Sequence, residues 1–121
     1  MALLLAMLAV TATCTPSASL ANAGPERVRA YFDAINARNE AAIGRFLLPG
    51  ATYSNPQVQG IPLAEVMTML VATPEAERLD IVEATASPSG VLVRTRTPSG
   101  STASALVQVD GGCIRRFSQA P

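Results

Sequence analysis

Three short runs, Ser87-Pro88-Ser89-Gly90, Pro98-Ser99-Gly100 and Asp110-Gly111-Gly112, cut the second half of the chain into four segments. Gly, Pro, Ser and Asp in such clusters supply the dihedrals of tight turns. The segments between them, Leu79–Ala86, Val91–Thr97, Thr102–Val109 and Cys113–Ser118, are rich in β-branched and small residues and read as strands. Strands joined by turns this short pair with their neighbours as an antiparallel meander. A meander buries only one face by itself, so the first half of the chain must cover it.

That first half has helical spacing. Gly24-Pro25-Glu26 is a helix start, with Pro at the first position and an acid in the first turn. Val28, Tyr31, Phe32 and Ile35 follow at i, i+3, i+4 and i+7, a single apolar stripe, with Arg27, Arg29, Asp33 and Arg38 off it. Asn39-Glu40 caps a second, short helix through Ile43, Phe46 and Leu47, which Pro49-Gly50 ends. Ala51 to Asn55 is a short strand. Pro62 opens a third helix with Val66, Met69 and Leu70 on one side. Helices first and a sheet afterwards imply an α+β fold with the helices on one sheet face.

The strands show which face that is. Val91, Val93, Thr95 and Thr97 share one side, while Leu92, Arg94 and Arg96 share the other. Ala103, Ala105, Val107 and Val109 make a second row of small apolar residues. Small inward side chains on a curved sheet leave a hollow, unless larger groups such as Phe32 or Met69 fill it. The opposite row, Leu92 with Arg94 and Arg96, is mixed and suits contact with a second copy of the chain.

Met1 to Val10 is an almost unbroken apolar run, and Ala21-Asn22-Ala23 follows after small and polar residues. An apolar run ahead of an A-x-A site is the pattern of a secretory signal peptide, and this run is short of the roughly 20 residues a membrane span needs. No Lys or Arg precedes it. The chain therefore divides into a signal peptide over residues 1–23 and one domain over 24–121, periplasmic or secreted. Acylation at Cys14 is the alternative and would anchor the protein to a membrane, although Val10-Thr11-Ala12-Thr13-Cys14 lacks the usual Leu and small residue before the Cys. If Cys14 leaves with the leader, Cys113 is alone and no internal disulfide forms.

Composition removes most chemistry. The nine basic residues are all Arg and balance nine acids, leaving no basic field for nucleic acid or anionic lipid. With no His, no imidazole can activate a Ser or Cys; with no Lys, Schiff bases and phosphate-loop lysines are excluded. No metal or cofactor is expected.

The stretches V-R-A-Y-F-D-A-I-N-A-R-N-E-A-A-I and F-L-L-P-G-A-T-Y-S-N-P resemble the opening of the nuclear transport factor 2-like superfamily, which includes SnoaL-like proteins and ketosteroid isomerases. The resemblance extends from the first helix to the final I-R-R-F strand. It implies a cone-shaped fold of about three helices on a curved, mainly antiparallel sheet, an apolar pocket at the open end, and frequent dimerisation. It does not imply one function. Ketosteroid isomerases, a worked example of pKa tuning, use an Asp base together with a Tyr and a protonated Asp. By motif position the Tyr falls on Tyr31, but the base position is Asn55 and the second acid falls near Ala105. An amide takes no proton at neutral pH. Glu83, alternating with Leu79 and Ile81, is the one carboxylate placed to point inward, against the commoner solvated position.

The resulting expectation is an exported SnoaL-like domain whose pocket holds a small apolar or amphipathic molecule without catalysis. Tyr31, Phe32, Ile35, Tyr53, Asn55, Val66, Ala103, Ala105 and Val107 would line it, and a homodimer is expected. Two alternatives stand beside it: an isomerase- or dehydratase-type enzyme using Tyr31 and Glu83, and a dimerising accessory module without ligand.

Overall fold

The computed structural model describes residues 9–120; the first eight residues of the expected leader lie outside the described residues. The expected α+β architecture is present. Three helices, α1 (Gly24–Asn36), α2 (Glu40–Gly44) and α3 (Leu63–Val71), lie on a six-stranded sheet. Its strands are β1 (Leu47–Ser54), β2 (Ile61–Pro62), β3 (Asp80–Ser87), β4 (Gly90–Arg96), β5 (Thr102–Asp110) and β6 (Cys113–Gln119), in the order β2-β1-β6-β5-β4-β3. β3 through β6 form the antiparallel meander that the turn sequences demand.

The stripe on α1 is buried throughout: Val28, Tyr31, Phe32 and Ile35 are all 3 % exposed or less. The helix ends at Asn36, and two residues on, Arg38 takes a left-handed φ of 53°, its N–H bonding the Ile35 carbonyl. Its guanidinium also binds the carbonyls of Ile35 and Ala76, offsetting the strain of that conformation in a residue with a Cβ. Asn39 caps α2, its side chain accepting the Ala42 N–H.

Three local expectations need correction. α2 stops at Gly44 instead of running through Leu47. Leu47 pairs with Ile114 of β6, and the Phe46 carbonyl accepts the Ile114 N–H, so strand pairing overrides the helical spacing. Pro49-Gly50 then falls in a register shift of β1, which runs parallel to β6. On α3 the buried face is Leu63 and Met67, whereas Met69 is 70 % exposed. The helix packs from its first residue, Leu63, so i+4 falls on Met67 and Met69 turns to solvent.

The third correction concerns the cysteines. Cys14 and Cys113 form a disulfide across 99 residues of sequence. Neither is free, and the stretch expected as the end of the leader lies against the domain, with Val10 in the core cluster.

The sheet's two faces divide as the alternation requires. Val91, Val93 and Thr95 are buried under the helices, and Leu92, Arg94 and Arg96 are exposed on the outer side.

Candidate functional site

The hollow expected from the small residues on β4 and β5 exists. Val93 pairs with Ala105 and Thr95 with Ala103, so four short side chains stand side by side on the inner face. Helices cannot collapse fully onto so shallow a floor, and a cavity of about 240 Å³ remains. α1 contributes Tyr31, Phe32 and Ile35 to its wall, and α3 contributes Val66, Met67 and Leu70. Leu79 precedes β3 and closes one side, while Tyr53 of β1 and Phe117 and Gln119 of β6 close the other. The volume lies just below the roughly 300–1,000 Å³ of pockets for drug-sized ligands. It is equivalent to about eight waters at ~30 Å³ each.

Aromatic rings fix much of the wall. Tyr31 meets Phe32 edge-on at 5.7 Å, and Tyr53 stacks on Phe117 at 5.9 Å and 18°. Offset stacking and edge contacts of this kind are the favoured aromatic geometries. Phe32 and Phe117 approach at 6.2 Å and link the two groups. Phe32 is therefore part of the wall and leaves the hollow open.

Polar groups are few. The Tyr31 hydroxyl is fully buried and donates to the Met67 sulfur at 3.0 Å. A thioether is a weak acceptor, so this hydroxyl is free to exchange it for a better one. Burial pushes the Tyr31 phenol well above its ordinary pKa, which keeps it a neutral donor. Nearer the rim, the Tyr53 hydroxyl donates to Gln119 Oε1 at 2.6 Å. Thr95 adds a hydroxyl to the wall, whereas Ser104, which pairs with Arg94, turns its side chain to the outer face. Among the described residues, none in the wall is an Asp, Glu or Arg.

Seven of the expected lining residues form this wall: Tyr31, Phe32, Ile35, Tyr53, Val66, Ala103 and Ala105. Val107 does not; it is fully buried in the packed core. Asn55 lies outside, in a shallow depression with Pro56, Gln59 and Arg116. Its Oδ1 accepts the N–H groups of Gln57 and Val58, both at 2.8 Å. This is an Asx turn, and Asn55 reaches the cavity rim only through a 3.4 Å contact from Nδ2 to the Tyr53 hydroxyl. Glu83 is also misplaced by simple alternation. A bulge between Ile81 and Glu83 inserts one extra residue, so Glu83 pairs with Arg94 on the outer face. Its carboxylate stands 3.5 Å from the Arg94 guanidinium, with both side chains more than half exposed.

Met67, Leu70, Leu79, Val93, Thr95, Ser104, Phe117 and Gln119 complete the wall. Alternation along β4 already placed Val93 and Thr95 inward. Met67 was hidden by the misread phase of α3, and Phe117 and Gln119 by the absence of a clear alternation in Cys113–Gln119. Among the described residues no group of three or more His, Cys, Asp or Glu could hold a metal. No helix among them is long and apolar enough to cross a membrane.

No protein-family model matches the sequence, and no curated protein matches it significantly. Solved structures do. A suggested polyketide cyclase from Sinorhizobium meliloti superposes with a TM-score of 0.66 at 22% identity, covering 78% of this chain and 94% of its own. A suggested ketosteroid isomerase from Kribbella flavida gives 0.68 at 17% identity, covering 84% and 78%. An LEH-like epoxide hydrolase from M. tuberculosis gives 0.66 at 16% identity, covering 80% of each chain. At these identities the likeness is one of fold.

Proposed function

We propose that this chain, a domain of the nuclear transport factor 2-like fold, holds a small uncharged hydrophobic or amphipathic molecule in the cavity between α1, α3 and the inner sheet face, without catalysing a reaction. The observation that carries this reading is a wall with hydroxyls and an amide but no carboxylate, imidazole or amine. General acid–base catalysis needs a group that changes protonation near the working pH. Here the one buried phenol stays protonated and the one candidate carboxylate, Glu83, faces solvent on the other side of the sheet.

The cavity's size argues for a ligand smaller than a drug-sized molecule. Its apolar part would lie against Phe32, Ile35, Val66 and Leu70. A carbonyl or hydroxyl on it could take the Tyr31 hydroxyl from Met67, or bond at the rim to Tyr53 and Gln119. The named neighbours include a cyclase, an isomerase and an epoxide hydrolase; an enzymatic role for this chain would need a base from outside the wall.

Export and dimerisation belong to the same proposal. The Cys14–Cys113 disulfide supports an oxidising compartment, since cytosolic thiols are kept reduced. Leu92, 52 % exposed in one row with Arg94 and Arg96, supports a homodimer formed through the outer sheet face. Native mass spectrometry of protein purified from its own host tests binding and assembly together. The expected species is a dimer carrying a small, dissociable, uncharged adduct. Protein that arrives empty, and that no panel of small uncharged amphiphiles stabilises in a thermal shift, would defeat the binding reading. Turnover of an activated proton-transfer substrate by the unmodified protein would favour the enzymatic one.

A further inference from the structure

We infer that residues 10–23 are a retained strap of the mature domain, fastened by the Cys14–Cys113 disulfide, and that any leader is cut upstream of Val10 and not at the Ala21-Asn22-Ala23 site. This is independent of what the cavity binds.

The strap is hydrogen-bonded to the domain from Val10 to Ser17. The Val10 N–H donates to Thr68 Oγ1 of α3 at 2.9 Å. The Thr13 and Cys14 N–H groups donate to the Gly44 and Leu47 carbonyls, and that of Ser17 to the Gly111 carbonyl, each at 2.9 Å. Val10 is 5 % exposed and Cys113 fully buried. The domain's surface is also shaped to receive the segment. A Cβ on Gly44 would collide with the Thr11 carbonyl oxygen, and a Cβ on Gly112 would come within 2.7 Å of the Leu20 side chain. Gly112 has a left-handed φ of 86° that favours glycine in any case, but Gly44 does not, and there the strap's backbone leaves no room for a side chain.

Cleavage after Ala23 would leave the Gly44, Leu47 and Gly111 carbonyls without these donors, empty the place of Val10 and leave a buried thiol at Cys113. A leader is a poor candidate for such fitted contacts; a strap requires them. The disulfide forms by exchange with an oxidised disulfide donor. One cysteine thiolate attacks the donor, the second displaces it from the mixed disulfide, and the donor leaves as two thiols carrying the two electrons and two protons. This requires an oxidising compartment and a strap still attached when it happens.

Two measurements test the inference on the full-length chain expressed in its own host. Intact mass and non-reducing peptide mapping should give an N-terminus at or before Val10 and a Cys14 peptide joined to a Cys113 peptide, separable by reductant. An N-terminus at Gly24, a free Cys113 thiol, or an acyl group on Cys14 would overturn it. The second is Gly44→Ala. Ala is the better helix former, so on a bare α2 the change would raise Tm. Against a docked strap the new methyl group meets Thr11, and Tm should fall by about 4 °C or more, the equivalent of a modest destabilisation in a domain this size. A Tm that is unchanged or raised would overturn the inference.

Discussion

Where β6 begins, Ile43, Leu47, Cys113 and Ile114 are fully buried and a disulfide ties the chain's beginning to its last strand; where β5 begins, Thr95, Ala103 and Ala105 leave an open cavity. Both ends belong to one sheet and the same α1 helix crosses it. The difference lies in side-chain volume. Branched chains facing one another fill space to crystal-like density, whereas paired alanines, a Val and a Thr cannot. A fold that has closed one end firmly can leave the other unfilled without collapsing, and the unfilled end is where a ligand can enter.

The largest expected effect breaks the junction between the ends. Phe32 is 3 % exposed, touches both Tyr31 and Phe117 and stands in the cavity wall. Phe32→Ala should cost about 3–5 kcal/mol, a large share of a typical domain's stability. A chemical denaturation midpoint that hardly moves would mean that the open end contributes little to folding.

Next comes the fastened end itself. Cys14→Ser removes a cross-link spanning 99 residues of sequence, a change that typically costs about 2–5 kcal/mol. Reductant should bring the wild-type midpoint down to that of the variant and leave the variant unmoved. Equal midpoints for both proteins without reductant would show that the closed end holds by packing alone.

A smaller effect separates stability from binding at the open end. Tyr31→Phe gives up only a hydroxyl bonded to a thioether, so stability at neutral pH should change by less than about 1 kcal/mol. Affinity for a ligand carrying a carbonyl or hydroxyl should fall more than that for a purely apolar one, which calorimetry can compare. The pH dependence has a definite sign. Burial raises the folded-state pKa of Tyr31 above its unfolded value of about 10. The contribution is therefore fully present below pH ~10 and is lost as pH rises beyond it. Denaturation curves in alkaline buffer should slope downward more steeply for wild type than for Tyr31→Phe.

The smallest effect lies just outside the cavity. Asn55→Asp keeps an oxygen that can accept the Gln57 and Val58 N–H groups, so stability should stay within about 0.5 kcal/mol. The new carboxylate would sit in the shallow outer depression and not among apolar groups, so no turnover of an activated proton-transfer substrate is expected. Measurable turnover in that variant, abolished by adding Tyr31→Phe, would move Asn55 into the site.

Much of this molecule was legible before folding. The stripe Val28, Tyr31, Phe32 and Ile35, the Asn39 cap, the meander and the two faces of β4 all follow from spacing over a few residues, because helix and strand periods are local. Seven of the fifteen wall residues were expected from the sequence. The readings that failed involve distant partners or one residue of register. A single extra residue near Val82 sent Glu83 to the outer face, and the phase of α3 depended on Leu63 being its first packed residue.

What the sequence alone determined, then, is the order of elements, the side of each strand that is buried, and the absence of His and Lys chemistry, since each depends on residue identity and short-range geometry. Only the tertiary structure decided that Leu47 leaves a helix to pair with Ile114, that Asn55 serves a turn, and that Cys14 meets Cys113. Those outcomes depend on contacts that close long loops. Their entropic cost is met only when the whole core assembles, and no window of neighbouring residues carries a sign of it.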